Sequence, residues 1–137
     1  MHRQIGHKEQ EAGGQLFARI DGAEIIIEKA TGPRKSDRRS RYSFFPSRMA
    51  ERREINKLFK TGLHYVGDWH THPQPRPAPS RTDIQSFQEM FRRSRHQLKS
   101  FVMIIIGSDP GVDGLFVALC NDTSITPLRA NNSVRSG

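Results

Sequence analysis

GDWHTHPQPRPAPSRTD, residues 67–83, is the stretch on which the reading of this chain turns. His70 and His72 stand two apart at the end of LHYVGDWH (63–70), which has strand character. Residues i and i+2 of a strand point to one face, so the two imidazoles can grip one ion. Gln74 to Pro79 holds three prolines and is expected to form a stiff, extended loop. Asp83, eleven residues past His72, falls in the first turn of the next helix, and the loop can return that helix end to the strand end. Two histidines and a carboxylate, with water in the fourth position, make the ligand set of a catalytic zinc site. Each piece alone has an ordinary reading. His-x-His also describes two surface histidines, and Ser80-x-x-Asp83 is also a helix-capping pattern. The cap and the site are compatible, because an N-cap serine can hold the helix end that presents Asp83.

Working outward, Ser80–Lys99 has Ile84, Phe87, Phe91 and Leu98 on one stripe and reads as an amphipathic helix. Residues 101–107 and 114–120 are apolar strands joined by the turn-rich SDPGVD. Upstream of the central segment, Ser47 is a candidate N-cap for a helix closed by Gly62. Residues 15–20 and 23–30 read as two strands around an Asp21-Gly22 turn. Thr31–Ser40 reads as an exposed loop, and 41–45 as a short strand stopped by Pro46. This order predicts an α/β (α+β) domain: a mixed, mostly antiparallel curved sheet flanked by helices. We expect one domain over residues 1–128 and a disordered tail over 129–137.

Composition narrows the function classes. The chain has 137 residues, enough for one domain with its own core. Its longest apolar run, Phe101–Ile106, is far below the roughly 20 residues that cross a bilayer. The polar start MHRQIGHKEQEAGG is neither a secretory signal nor a lipid anchor, so a cytoplasmic protein with no membrane partner is expected. The single cysteine, Cys120, lies inside LFVALC and reads as a small core residue. Net charge is +8, with basic clusters at Arg34, Lys35, Arg38, Arg39 and Arg41, at Arg52 and Arg53, and at Arg92, Arg93 and Arg95. These residues do not alternate with aromatics as a single-strand groove requires. A solvated surface or an acidic protein partner is therefore preferred over nucleic acid.

Taken together, His70-x-His72-Pro73, six residues, Ser80-x-x-Asp83 resembles the JAMM signature of the JAB/MPN metalloprotease family at every fixed position. Glu11-Ala-Gly13-Gly14-Gln-Leu16-Phe17 is similar to the glutamate element that the family carries upstream. The resemblance spans about residues 9–120. It implies a cytidine-deaminase-like fold and one Zn2+ per chain, held by His70, His72 and Asp83. It also implies that Glu11 acts as general base and acid, and that Ser80 stabilises the oxyanion. The phrases EAGGQLF and GDWHTHP…PSRTD look most like the short bacterial deconjugases of CBASS and integrative-element operons. The implied substrate is a protein with an extended ubiquitin-like or nucleotide-cyclase C-terminal tail, cut as an isopeptide or peptide in anti-phage defence. The family has a helix before the glutamate, and this sequence leaves room for little more than a stub. There is no long substrate-gripping insertion either, so the Pro-rich loop and nearby strands are expected to hold the tail by strand addition.

Two rival functions remain at this level: a metal-binding scaffold, and a sulfur-carrier or peptide-processing hydrolase on the same fold. Oligomeric state is open. Trp69 is expected in the core, facing away from His70. His64 and Asp68 are expected on the His70 face, with Asp68 a candidate support for a ligand histidine. His2, His7 and His96 read as surface residues and Asp109 and Asp113 as turn residues, while Gly107 and Ser108 follow a buried strand and are not assigned to the site.

Overall fold

A computed structural model describes residues 12–32, 34–35, 45–94, 96 and 98–131, with backbone alone at 34–35 and 45–50. The elements are β1 (Ala12–Asp21), β2 (Glu24–Ala30), β3 (Arg34–Lys35), α1 (Phe45–Phe59), β4 (His64–Thr71), α2 (Arg81–Arg93), β5 (Phe101–Ile106), a 3-10 turn (Gly111–Gly114), β6 (Leu115–Cys120) and β7 (Ile125–Pro127). They build one mixed sheet in the order β2-β1-β4-β5-β6-β7, with β3 paired to the start of β1. Among the described residues only β4 and β5 run parallel, and every other pair is antiparallel. The predicted mixed, mostly antiparallel α+β architecture is the one observed. The single parallel pair follows from α2, which carries the chain from the end of β4 back to the start of β5.

Several expected boundaries shift for local reasons. The strand expected at 41–45 falls on 41–44, outside the described residues, and on Phe45, which begins α1. That helix therefore starts before Ser47, with Pro46 in its first turn, where the missing N–H costs no hydrogen bond. Gly62 ends it as expected, at φ 90. The Leu63 N–H reaches the Leu58 carbonyl at 3.1 Å and the Gly62 N–H reaches Phe59 at 3.0 Å, the paired bonds of a left-handed helix stop. The helix expected over 80–99 closes at Arg93. Ser94 donates its hydroxyl to the Met90 carbonyl at 2.8 Å. The His96 ring lies 3.0 Å from the Phe91 carbonyl and packs on Phe91 and Phe101 at 4.4 and 4.6 Å between centroids. His96 is thus half-buried against the core rather than a surface residue. The loop expected over 31–40 contains β3, and β7 had no counterpart in the sequence reading.

Two apolar clusters pack on the sheet. Phe101, Met103, Ile105 and Cys120 meet Phe87 of α2 on one face, with Tyr65, Met90, Phe91 and Phe116 around them. Leu16, Ala18, Val66 and Val102 form the second cluster, with Trp69, Ile104 and Val117. A bulge in β4 decides which residues join which cluster. Leu16 pairs with Gly67 and Phe17 with Tyr65, so Val66 is an extra residue and the alternation of faces inverts there. Tyr65 therefore takes the face of Asp68 and His70. His64, expected on that face, instead lies 5.5 Å from the Phe59 ring of α1. Gly67 allows the strands to close at this point: a Cβ there would lie 1.8 Å from the Val102 carbonyl oxygen.

Candidate metal centre

The parallel pair places the site. β4 and β5 end side by side, with His70 opposite Ile105 and Thr71 opposite Ile106. The His72 N–H then donates to the Ile106 carbonyl at 2.9 Å. His70 is thereby flanked by paired strands on both sides, and His72 is tied to β5. Ligands gather outside the carboxyl ends of parallel strands, where the loops diverge. Thr71, between the two histidines, ties the strand to β1 by accepting the Ala12 N–H at 3.0 Å. Trp69 faces the second apolar cluster, as expected, and its indole donates to the Thr31 carbonyl at 2.9 Å. Gly14 lies under that bond; a Cβ there would come within 1.8 Å of the Thr31 oxygen.

The Pro-rich loop returns the chain to the same place. Gly107 and Ser108, not assigned to the site from the sequence, lie beside this loop. The Ser108 N–H donates to Gln74 at 2.9 Å and the Asp109 N–H to Pro75 at 3.2 Å. A Cβ on Gly107 would meet the Gln74 oxygen at 2.3 Å, so only glycine lets the loop seat here. Asp109 and Asp113, read as turn residues, also stand 3.7 and 3.9 Å from the exposed Arg76 guanidinium. Ser80 then caps α2. Its hydroxyl accepts the Asp83 N–H, and the Asp83 carboxylate accepts the Ser80 N–H, both at 3.0 Å. This reciprocal box fixes the Asp83 side chain at the helix start.

His70, His72 and Asp83 converge. The two Nε2 atoms lie 3.2 Å apart, and Asp83 Oδ2 lies 3.5 Å from His70 Nε2 and 3.2 Å from His72 Nε2. His70 is 1% exposed, and the other two are half-buried. Zinc bonds of about 2.0–2.1 Å in a tetrahedron imply ligand edges of roughly 3.3 Å. The three donor atoms therefore already outline one face of such a tetrahedron, and the residues fit the ion. Among the described residues they are the one His/Cys/Asp/Glu group able to hold a metal. Burial alone raises the Asp83 carboxyl. Hydrogen bonds from His70, His72 and the Ser80 N–H, with the charge of His70, outweigh it and hold the group well below the usual carboxylate range. The Asp83 carboxyl is thus held in its anionic form, the form a metal would need.

Three expected features stand apart from this geometry. Glu11 lies outside the described residues; it directly precedes Ala12, the residue bonded to Thr71. Asp68 shares the His70 face as expected, and the structure adds a partner that the sequence reading missed, the Tyr65 hydroxyl, which donates to it at 2.7 Å. The signal was available in Gly67, since a glycine inside a strand often marks a bulge. Cys120 is buried, and burial pushes its thiol up to about 11, so it offers no nucleophile near neutral pH.

Residues 2–119 match the family of prokaryotic homologs of the JAB domain. A CD-NTase/cGAS isopeptidase from Enterobacter hormaechei is 33% identical over 122 residues, covering 87% of this chain and 67% of that protein. Its namesake from Pseudomonas aeruginosa is 30% identical, covering 86% and 73%. A probable metalloprotease from Sinorhizobium fredii is 30% identical, covering 73% and 64%. A solution structure of a Desulfitobacterium hafniense protein superposes with a TM-score of 0.61 at 21% identity, covering 91% of this chain and 82% of that one. That likeness bears on the fold. No helix among the described residues is long and apolar enough to cross a membrane.

Proposed function

The chain belongs to the family of prokaryotic homologs of the JAB domain, and on that premise we propose that it is a zinc-dependent isopeptidase. Its substrate is a protein joined to the C-terminal tail of a ubiquitin-like protein or of a conjugated nucleotide cyclase. Four of its relatives carry the name CD-NTase/cGAS isopeptidase, which supports the cyclase as the first choice. That substrate places the protein in the cytoplasm and in bacterial anti-phage defence. The observation that carries the proposal is the triangle of donor atoms, 3.2, 3.2 and 3.5 Å on its edges. A scaffold that had lost its metal would have no need to keep three donors so placed.

His70, His72 and Asp83 hold the ion, two neutral imidazoles and one carboxylate. Zinc held by these three residues would supply Lewis acidity for the scissile carbonyl and for a water. Glu11 takes the proton of the attacking water and delivers it to the leaving amine. The Ser80 hydroxyl accepts from the Asp83 N–H, which leaves its own proton available to the oxygen that gains charge as the carbonyl is attacked. Such a donor contributes about 3 kcal/mol to turnover. No covalent enzyme intermediate is required, in keeping with the buried, protonated Cys120. The substrate tail lies extended along the strand ends and the Pro-rich loop.

The direct test is a cleavage assay on fusions that join a reporter to the C-terminus of a cyclase or a ubiquitin-like protein. Chelator-sensitive cutting at one junction, lost in Glu11→Ala, is expected. Cutting that survives both chelation and Glu11→Ala contradicts the mechanism; no cutting of any fusion by zinc-loaded protein contradicts the substrate class.

A further inference from the structure

The backbone ladder between β1 and β4 ends at Gly13 opposite His70. Ala12, the preceding residue of β1, is still tied to β4, but through a side chain. Its N–H donates to the Thr71 hydroxyl at 3.0 Å, in a half-buried contact between residues 59 apart in sequence. The same hydroxyl oxygen stands 3.5 Å from the Ala12 carbonyl oxygen, within reach of its own proton. A hydroxyl carries one donor and two acceptor positions, so one threonine can serve both backbone groups of a neighbouring residue. Ala12 also pairs with Lys35 of β3. It is therefore held by β3 and β4 together at the point where the described part of β1 begins.

What Thr71 holds is the peptide that joins Glu11 to Ala12. The Ala12 N–H belongs to that unit, and a trans peptide is planar from one Cα to the next. An N–H fixed beside a fixed Ala12 Cα therefore fixes the plane that leads to the preceding residue. Residues two apart on a strand share a face. Gly13 stands opposite His70, so the same register carried two residues further sets position 11 on the face of His70, across from His72.

We propose that Thr71 is the positioning residue of the general base: its hydroxyl locks the Glu11–Ala12 peptide so that the Glu11 carboxylate is aimed at the metal centre. Thr71 thus acts twice. Its backbone spaces His70 from His72, and its side chain aligns the base with both. Misplacing a catalytic group by about 1 Å lowers a rate by on the order of a hundredfold. One hydrogen bond at this peptide therefore governs turnover while leaving the zinc ligands as they are. The inference rests on the metal-centre and general-base reading above.

The test compares Thr71→Val, which keeps the β-branched shape and removes the hydroxyl, with Thr71→Ser, which keeps the hydroxyl, both in the full-length chain. The substrate is a reporter joined to the C-terminus of a nucleotide cyclase. The kcat of Thr71→Val is expected to fall about tenfold or more, with KM and zinc affinity unchanged, and Thr71→Ser to recover most of it. Zinc affinity that falls in step with kcat would make Thr71 a support of the histidines and overturn the proposal; so would full kcat in folded Thr71→Val. Crystal structures of the zinc-loaded proteins need no substrate. The Glu11 carboxylate is expected to face the metal in the wild type and to be displaced in Thr71→Val, and the same placement in both overturns the proposal. Amide exchange at Ala12 in the wild type decides even if Thr71→Val fails to fold: a protected N–H is expected, and exchange as fast as in an unbonded amide overturns the proposal. Full turnover in Glu11→Ala refutes the general-base reading itself, a result distinct from any outcome at Thr71.

Discussion

Two isoleucine-rich stretches have opposite surroundings. Ile25, Ile26 and Ile27 of β2 are each about two-fifths exposed, whereas Ile105 of the MIII run in β5 is fully buried. The difference is position in the sheet. Among the described residues β2 is the outer strand, paired only with β1, while β5 lies between β4 and β6 with α2 over one face. Apolar composition made both segments strands, but the neighbours decided which one became core. The proposed metal ligands His70 and His72 stand at the β4–β5 end. His70 is held between Gly13 on one side and Ile105 on the other, so the centre draws its rigidity from the buried strands.

Substitutions can break or sharpen this contrast. Ile105→Ala is expected to cost about 2–5 kcal/mol in denaturant unfolding and to weaken zinc binding, because the residue opposite His70 is lost. Gly67→Ala comes next, at about 3 kcal/mol, since its Cβ would press on the Val102 backbone and part β4 from β5. Acid separates the two regions in another way. The Asp83 carboxyl is held low in the folded chain, so the stability it contributes is fully present above its unfolded value of about 3.9 and is lost as the pH falls through the folded value. In chelator-treated protein, Asp83→Asn should flatten that acid loss. Glu28 is also held low by its hydrogen bond from Arg19, but the pair is exposed on the hairpin, and Glu28→Gln should leave the acid profile unchanged. Ile26→Ala is the smallest, within about 0.5 kcal/mol. An Ile26→Ala loss equal to that of Ile105→Ala would show that the β2 edge is covered in solution.

The site was more legible than the sheet around it. His70 and His72 could be placed on one face from their spacing, and Asp83 in the first turn of α2 from the Ser80 cap, because both inferences depend on local geometry. The proline loop signalled a short return between them. The bulge at Val66 was less accessible: it depends on pairing with β1, and only Gly67 hinted at it. Tyr65 and His64 exchanged roles as a result. The end of α2 was misjudged because Ser94 and His96 compete for its last carbonyls, an effect that apolar periodicity does not carry. The exposure of β2 was hidden for the same reason that the burial of β5 was visible: strand order is set by contacts distant in sequence.

The central claim is that His70, His72 and Asp83 together hold one zinc ion. The measurement that tests it most directly is the zinc content of purified full-length protein after zinc loading and dialysis, beside folded His72→Ala. One equivalent per chain in the wild type and close to none in the variant is the expected result. Full occupancy in His72→Ala, or an empty wild type under the same treatment, would contradict it.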